Sequence, residues 1–136
     1  MKKTIIAATI GLCLVAGLCH GAERTYGDID GAKYVDNYDG DTITVNLPGL
    51  PAIFGEQIPV RVNGIDTPER HGRCAKEKAL ALEARAVVES VLTTAASIRL
   101  THVGRDKYFR VNASVVADVV DVGALLLQRG LAVPYA

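Results

Sequence analysis

The sequence predicts an α+β domain built on a small five-stranded β-barrel, closed or partly open, with one long and one short helix. Five segments alternate apolar and polar residues at the two-residue period of a half-buried strand. Two further segments carry apolar residues at helical spacing, one in the middle of the chain and one near its end.

The strand pattern is clearest at residues 41–47, where Ile43, Val45 and Leu47 alternate with polar residues. In the next strand, Arg61 falls on the face opposite to the apolar residues. Residues 48–57 hold two prolines and two glycines and are expected to form a hairpin loop. A polar turn is expected at residues 104–107. The five predicted strands are Ala32–Tyr38, Asp41–Leu47, Ile58–Ile65, Ser97–Val103 and Arg110–Val116.

The long helix is predicted over Ala75–Leu92, with one apolar face lying on the sheet. A shorter helix is predicted over Val122–Gln128, with Asp121 as its N-cap and Gly130 as its stop. The OB-fold, a five-stranded and partly open barrel, has a size that suits these elements.

The first 21 residues have the pattern of a cleaved signal peptide. Lys2 and Lys3 precede an uncharged, largely apolar run that is short for a membrane span. We therefore expect residues 1–21 to be removed and residues 22–136 to form one domain. A secreted or periplasmic location, a monomer and no membrane association of the mature form are expected.

The net charge of the expected mature chain argues against binding of nucleic acid through a broad basic surface. Removal of Lys2 and Lys3 leaves 13 of the 15 basic residues against 15 acidic residues, a formal net charge of −2. A strongly basic surface is the usual sign of such binding. Any binding of phosphate must therefore be local.

Three clusters supply the residue types that phosphodiester hydrolysis needs. They are D-G-D-T at residues 39–42, an arginine at 61 followed by D-T-P-E at 66–69, and D-K-Y-F-R at 106–110. A phosphodiester gains negative charge on its non-bridging oxygens during attack, so a catalyst must place cations against them. Hard cations held by oxygen ligands and forked guanidinium donors are the available means.

Together, these clusters resemble the motifs of the staphylococcal-nuclease-like family, also called thermonucleases or micrococcal nucleases. The resemblance extends from about Tyr34 to Tyr135 and has the three motifs in the family's order. It implies a calcium-dependent nuclease that hydrolyses phosphodiester bonds of DNA, RNA or both without sugar specificity and leaves 3′-phosphates. It also implies that the carboxylates of Asp41 and Asp66 and the carbonyl oxygen of Thr67 bind Ca²⁺.

The same resemblance implies the roles of the residues that face the substrate. Arg61 and Arg110 would contact the scissile phosphate, and Glu69 would position or deprotonate the attacking water. Lys107 and Tyr108 would bind a neighbouring phosphate. Guanidinium groups suit this task because each can offer two parallel N–H donors to one phosphate.

Two departures from the family pattern are visible, and one alternative function remains open. Phe109 stands where the family usually has glycine, and Tyr135 is near, but out of register with, the family's stacking tyrosines. The alternative is a non-catalytic OB-fold module that binds nucleic acid. Such modules typically lack the calcium carboxylates or the arginines, whereas this chain retains both.

Overall fold

The computed structural model describes residues 24–135, and the predicted signal peptide lies outside them. A curled sheet forms a half-barrel with helices packed against it, so the chain has the predicted mixed α+β, OB-like architecture. No helix in the described range is both long enough and apolar enough to cross a membrane.

The prediction of five strands is not confirmed, because the described residues form nine strands. Four of the nine are only two residues long, and the five longer ones overlap the five predicted segments. The strands are β1 Ile29–Asp30, β2 Lys33–Asn37, β3 Thr42–Asn46, β4 Ile58–Val62, β5 Ile65–Asp66, β6 Ile98–Arg105, β7 Val111–Ala117, β8 Val120–Asp121 and β9 Val133–Pro134.

Seven strands make the main sheet, in the order β1-β6-β7-β4-β3-β2, with β8 paired to β7. Every pair in it is antiparallel except β4 with β7, which are parallel. This parallel pair connects the antiparallel strands β2, β3 and β4 to the hairpin of β6 and β7. Strands β5 and β9 form a separate two-stranded antiparallel sheet.

The expected hairpin loop does join β3 and β4, which pair antiparallel, but one predicted strand end and the predicted start of the polar turn were wrong. The expected hairpin loop contains a single helical turn, α1 (Ala52–Gly55), closed by a hydrogen bond from the Glu56 amide to the Ala52 carbonyl. The predicted strand to residue 65 stops at Val62, because Gly64 has a φ of +74° that interrupts the extended backbone. Strand β6 continues through Arg105, so the polar turn begins later than predicted.

The core lies between the concave face of the sheet and two helices, α2 (Ala75–Thr94) and α3 (Val122–Gln128). Both helices were predicted from their periodicity, and α3 has the predicted bounds. Its N-cap is Asp121, whose carboxylate accepts a 2.9 Å hydrogen bond from the Ala124 amide. Gly130, with a φ of +68°, follows the end of the helix. The buried side chains of α2 are Ala81, Ala84, Val88 and Leu92, and those of α3 are Val122 and Leu126.

The cap of α3 can be tested by substitution. Asp121→Ala should lower the free energy of unfolding by about 1 kcal/mol, because an amide at the helix start loses its acceptor. Asp121→Ser is the control, since serine also caps well and should lose much less. Urea unfolding followed by circular dichroism measures both; equal losses in the two variants would show that the cap contributes nothing.

Candidate active site

Arg61 lies at the centre of the first two clusters. It is on β4, paired with Thr42 of β3, so its side chain projects from the convex face next to the D-G-D-T turn. Its guanidinium forms ion pairs with Asp41 and Asp66, the second through a 2.8 Å contact between Nη2 and Oδ1. One guanidinium thus holds together a carboxylate from each of two separate loops.

Asp41 is buried, and its carboxylate is fully engaged. The amide and the hydroxyl of Thr67 both donate to Oδ2, at 2.7 Å and 2.8 Å, while Oδ1 faces Arg61. Gly40 leaves the space for this approach: a Cβ there would lie 2.8 Å from Thr67 Cγ2 and 2.9 Å from the Ala84 methyl. The glycine of D-G-D-T is therefore required by packing of the turn against Thr67 and α2.

The charges of the two turn aspartates are coupled. Burial acts to raise the pKa of Asp41, but the two Thr67 donors and the Arg61 guanidinium outweigh it, so the pKa of Asp41 is lowered. Burial, and next the neighbouring charge of Asp41, raise the pKa of Asp39. For Arg61, burial acts to lower the pKa, but Asp41 and Asp66 raise it overall, so the guanidinium stays charged.

Arg110 reaches the same face of the sheet through the parallel pairing of β4 with β7. Arg61 pairs with Asn112, and Arg110 lies two residues before Asn112, so all three side chains are on one side. Asp106 fixes Arg110: its carboxylate accepts from the Arg110 amide at 2.9 Å and from Nε at 3.0 Å. The hydrogen bond from the Arg110 amide lowers the pKa of Asp106; burial acts to raise it, but the Tyr108 amide and the Arg110 side chain also lower it, so the pKa is lowered overall.

The two arginines line one open cleft of about 630 Å³. Lys107 and Tyr108 from the turn before Arg110 also line it, as does Tyr135, which is held by a 3.0 Å hydrogen bond from its amide to the Gly64 carbonyl. The cleft therefore contains the two predicted phosphate-binding arginines and both predicted substrate-binding residues.

Glu69 does not line this cleft. It is exposed in an adjoining groove of about 410 Å³, together with Asp66 and Thr67. Asp66 connects the two spaces, because it lines the groove and also pairs with Arg61 of the cleft. The structure thus brings four predicted residues to a basic cleft and three to an acidic groove, while the eighth, Asp41, lines neither and is buried against Arg61 and Thr67.

The predicted metal ligands agree in kind with a hard cation. Among residues 24–135, no three His, Cys, Asp or Glu side chains are placed to share a metal ion. The predicted ligand set is of a different kind, because it contains only two side-chain carboxylates and one backbone carbonyl. Asp41 and Asp66 both direct an oxygen at one guanidinium, so two anionic oxygens already converge on a single positive group. Oxygen donors of this type are those that Ca²⁺ prefers.

Comparison with known proteins places the chain in a family. The family model of staphylococcal nuclease homologues matches residues 59–136, more than half of the chain. The chain belongs to this family. A search of curated proteins finds no match. Both arginines, Asp66, Thr67 and Glu69 lie within the matched span, whereas Asp41 precedes it. Staphylococcal nuclease homologues are generally nucleases that act on nucleic acids.

Eight cleft residues were not predicted as site residues, and the five with polar side chains are Asn63, Arg105, Asp106, Asn112 and Tyr135. Tyr135 is out of register with the family's stacking tyrosines, yet the β5–β9 pairing brings it to the cleft. The arginine at 61 and the asparagine at 112 become neighbours only through the parallel strand pair, which sequence periodicity does not indicate. The backbone of Phe109 was not predicted either. Its φ of +64° is a conformation that favours glycine, the residue that family members usually have there.

The lowered pKa of Asp41 predicts a specific dependence of stability on pH. Because the folded-state pKa is below the unfolded value of about 3.9, the stabilisation is fully present above that pH. It is lost as the pH falls through the folded-state pKa. Asp41→Asn should therefore lower the free energy of unfolding by on the order of 2 kcal/mol at pH 7. Below about pH 4, the free energy of unfolding of this variant should decrease less with falling pH than that of the wild type.

Urea unfolding at a series of pH values measures this effect. Asp30→Asn is the matched control, because Asp30 also pairs with a strand arginine, Arg99, but is 71% exposed. It should change the unfolding free energy little at any pH. An acid-side slope that is the same in wild type and Asp41→Asn would contradict the role of Asp41.

Proposed function

We propose that this protein is a calcium-dependent nuclease that hydrolyses phosphodiester bonds of DNA, RNA or both without sugar specificity and leaves 3′-phosphates. The observation that carries the proposal is the cleft in which Arg61 and Arg110 lie on one face, next to Asp41 and Asp66. The chain has no net excess of positive charge, so the paired arginines of this cleft provide the local positive charge that a phosphate needs.

The two arginines would bind and stabilise the scissile phosphate. Asp106 engages Arg110 through its amide and Nε, and within the described residues the two terminal nitrogens of Arg110 have no hydrogen-bond partner. They are oriented by a carboxylate behind them and open to the cleft in front. Such a preorganised fork can donate two parallel N–H bonds to a phosphate whose charge increases during attack.

Asp41, Asp66 and the Thr67 carbonyl would hold Ca²⁺, at the junction of the cleft and the groove. Thr67 is fixed there by its two hydrogen bonds to Asp41. When bound, Ca²⁺ would neutralise the paired carboxylates and place positive charge beside the phosphate oxygens.

Glu69 would act as the general base. Glu69 lines the groove together with Asp66, which also pairs with Arg61 of the cleft, and this proximity supports a role in which its carboxylate orients a water and takes its proton. Lys107 and Tyr108, whose side chains are exposed at the rim, would bind the phosphate next to the one that is cleaved. We further propose a monomer that is secreted or periplasmic, from the signal-peptide pattern of residues 1–21.

Arg61→Lys tests the phosphate role directly. Lysine keeps the charge but cannot offer two parallel donors, so the hydrolysis rate of plasmid DNA should fall by about 10²–10³. The control is Arg99→Lys, which changes another aspartate-paired strand arginine that does not line the cleft and should keep the full rate. Retention of more than half the wild-type rate by Arg61→Lys would refute its assigned role.

Metal dependence is the second test. Plasmid DNA and RNA should both be degraded with Ca²⁺, and a chelator should stop the reaction. Mg²⁺ should restore little activity, because it is smaller and requires near-octahedral geometry. Full activity in Mg²⁺ with Ca²⁺ chelated would contradict the calcium site. Binding of either nucleic acid without cleavage under every condition would instead favour the non-catalytic binding module.

A further inference from the structure

A second cavity, of about 210 Å³, lies beside the proposed catalytic cleft. The two share Asn63, Arg105 and Asn112 in their walls, so they form one continuous surface. The second cavity has no role in the proposed hydrolysis. Its remaining side chains come mainly from the segment before β1 and from the middle of β6.

The second cavity is made by a bulge in β6. The register between β6 and β7 shifts between Thr101 and Gly104, and His102 within this bulge has a φ of +52°, which is unfavourable for a residue with a side chain. The segment before β1 stabilises the bulge, because the Tyr26 amide donates a 2.7 Å hydrogen bond to the Val103 carbonyl. A β-bulge re-aims a side chain, and here it turns His102 into the cavity wall.

The positively charged side chains that line the second cavity favour binding of an anion. Arg24, Arg105 and His102 line it, and no carboxylate does among the described residues. Arg105 is held in place: Nη1 donates to the Phe109 carbonyl at 3.2 Å, and its Cζ lies 3.8 Å from the centre of the Phe109 ring. Within residues 24–135 neither guanidinium forms an ion pair with a carboxylate, so both can bind a phosphate.

Asn112 supplies an independent sign of a ligand. Its Oδ1 is buried and is the one buried side-chain nitrogen or oxygen in the described part of the chain that lacks a hydrogen-bond partner. Gly104 makes room for it, since a Cβ at that position would lie 2.6 Å from Oδ1. An unpaired buried acceptor costs free energy that a ligand N–H can recover. The amino or imino group of a nucleobase is such a donor.

We propose that the second cavity is a subsite for the nucleotide that flanks the two nucleotides joined by the scissile phosphate in the catalytic cleft. Arg24 and Arg105 would bind its phosphate, Asn112 Oδ1 would accept a hydrogen bond from its base, and Tyr26 would offer a ring for stacking. This inference rests on the proposed nuclease function. It deepens it by assigning substrate length: two nucleotides would not fill both sites, whereas four would.

Binding of phosphorothioate oligodeoxynucleotides, which resist hydrolysis, tests the subsite. Fluorescence anisotropy with the full chain should show a tetranucleotide bound about tenfold more tightly than a dinucleotide, since one added charged contact corresponds to such a factor. Arg24→Gln, at a residue that lines the second cavity and not the catalytic cleft, should remove most of this difference and leave dinucleotide affinity unchanged, whereas Asn112→Leu should weaken tetranucleotide binding more than dinucleotide binding. Arg129→Gln, in a different surface groove, is the matched control and should behave as wild type.

A stability measurement separates binding from folding. Asn112→Leu removes an unpaired buried oxygen at similar volume, so its urea midpoint should stay equal or rise while tetranucleotide affinity falls. Tetranucleotide affinity unchanged in both variants would overturn the subsite even if wild type cleaves DNA. Length-dependent binding that the variants abolish, without any hydrolysis, would support the subsite and refute the nuclease. No binding of either oligonucleotide by wild type would overturn both.

Discussion

The ion-pair cluster of Arg61 with Asp41 and Asp66 is the interaction on which the site depends. Asp41 is buried, and a buried carboxylate is tolerated only when hydrogen-bond donors and opposite charge surround it. Thr67 supplies two donors and Arg61 the charge. Because these partners come from separate loops, satisfying one charge also fixes the D-G-D-T turn, the D-T-P-E loop and β4 relative to one another.

The parallel pair β4–β7 extends this order to the third cluster. In an otherwise antiparallel sheet, it is the contact that brings the entry of β7 beside Arg61. Arg110 then projects from the same face and is oriented by Asp106 within its own turn. Each arginine thus has a carboxylate behind it. This arrangement keeps the guanidinium groups directed toward one cleft without requiring a positive charge on the whole protein.

Sequence patterns predicted the five longer strands and both main helices because each pattern depends on burial of one face of a single element. They could not predict β5 and β9, because two-residue strands have no periodicity and are defined only by their pairing. The division of the predicted site residues between cleft and groove was also hidden. Arg61 is close to Asp66 and Glu69 in sequence, but it lines the cleft whereas they line the groove, and only the fold determines which space each residue lines.

Two of the four non-glycine residues with positive φ among residues 24–135 lie around the cleft, and the other two, Gln57 and Asp118, line neither the cleft nor the second cavity. His102 and Phe109 both have positive φ values without being glycine, and both are next to residues that line the two cavities. Such strain persists only where surrounding contacts enforce it. For Phe109 the contact is evident: its ring covers the Arg105 guanidinium and its carbonyl accepts from it. A glycine would relax the turn but lose the ring, so the departure from the family pattern positions an additional arginine between the catalytic cleft and the second cavity.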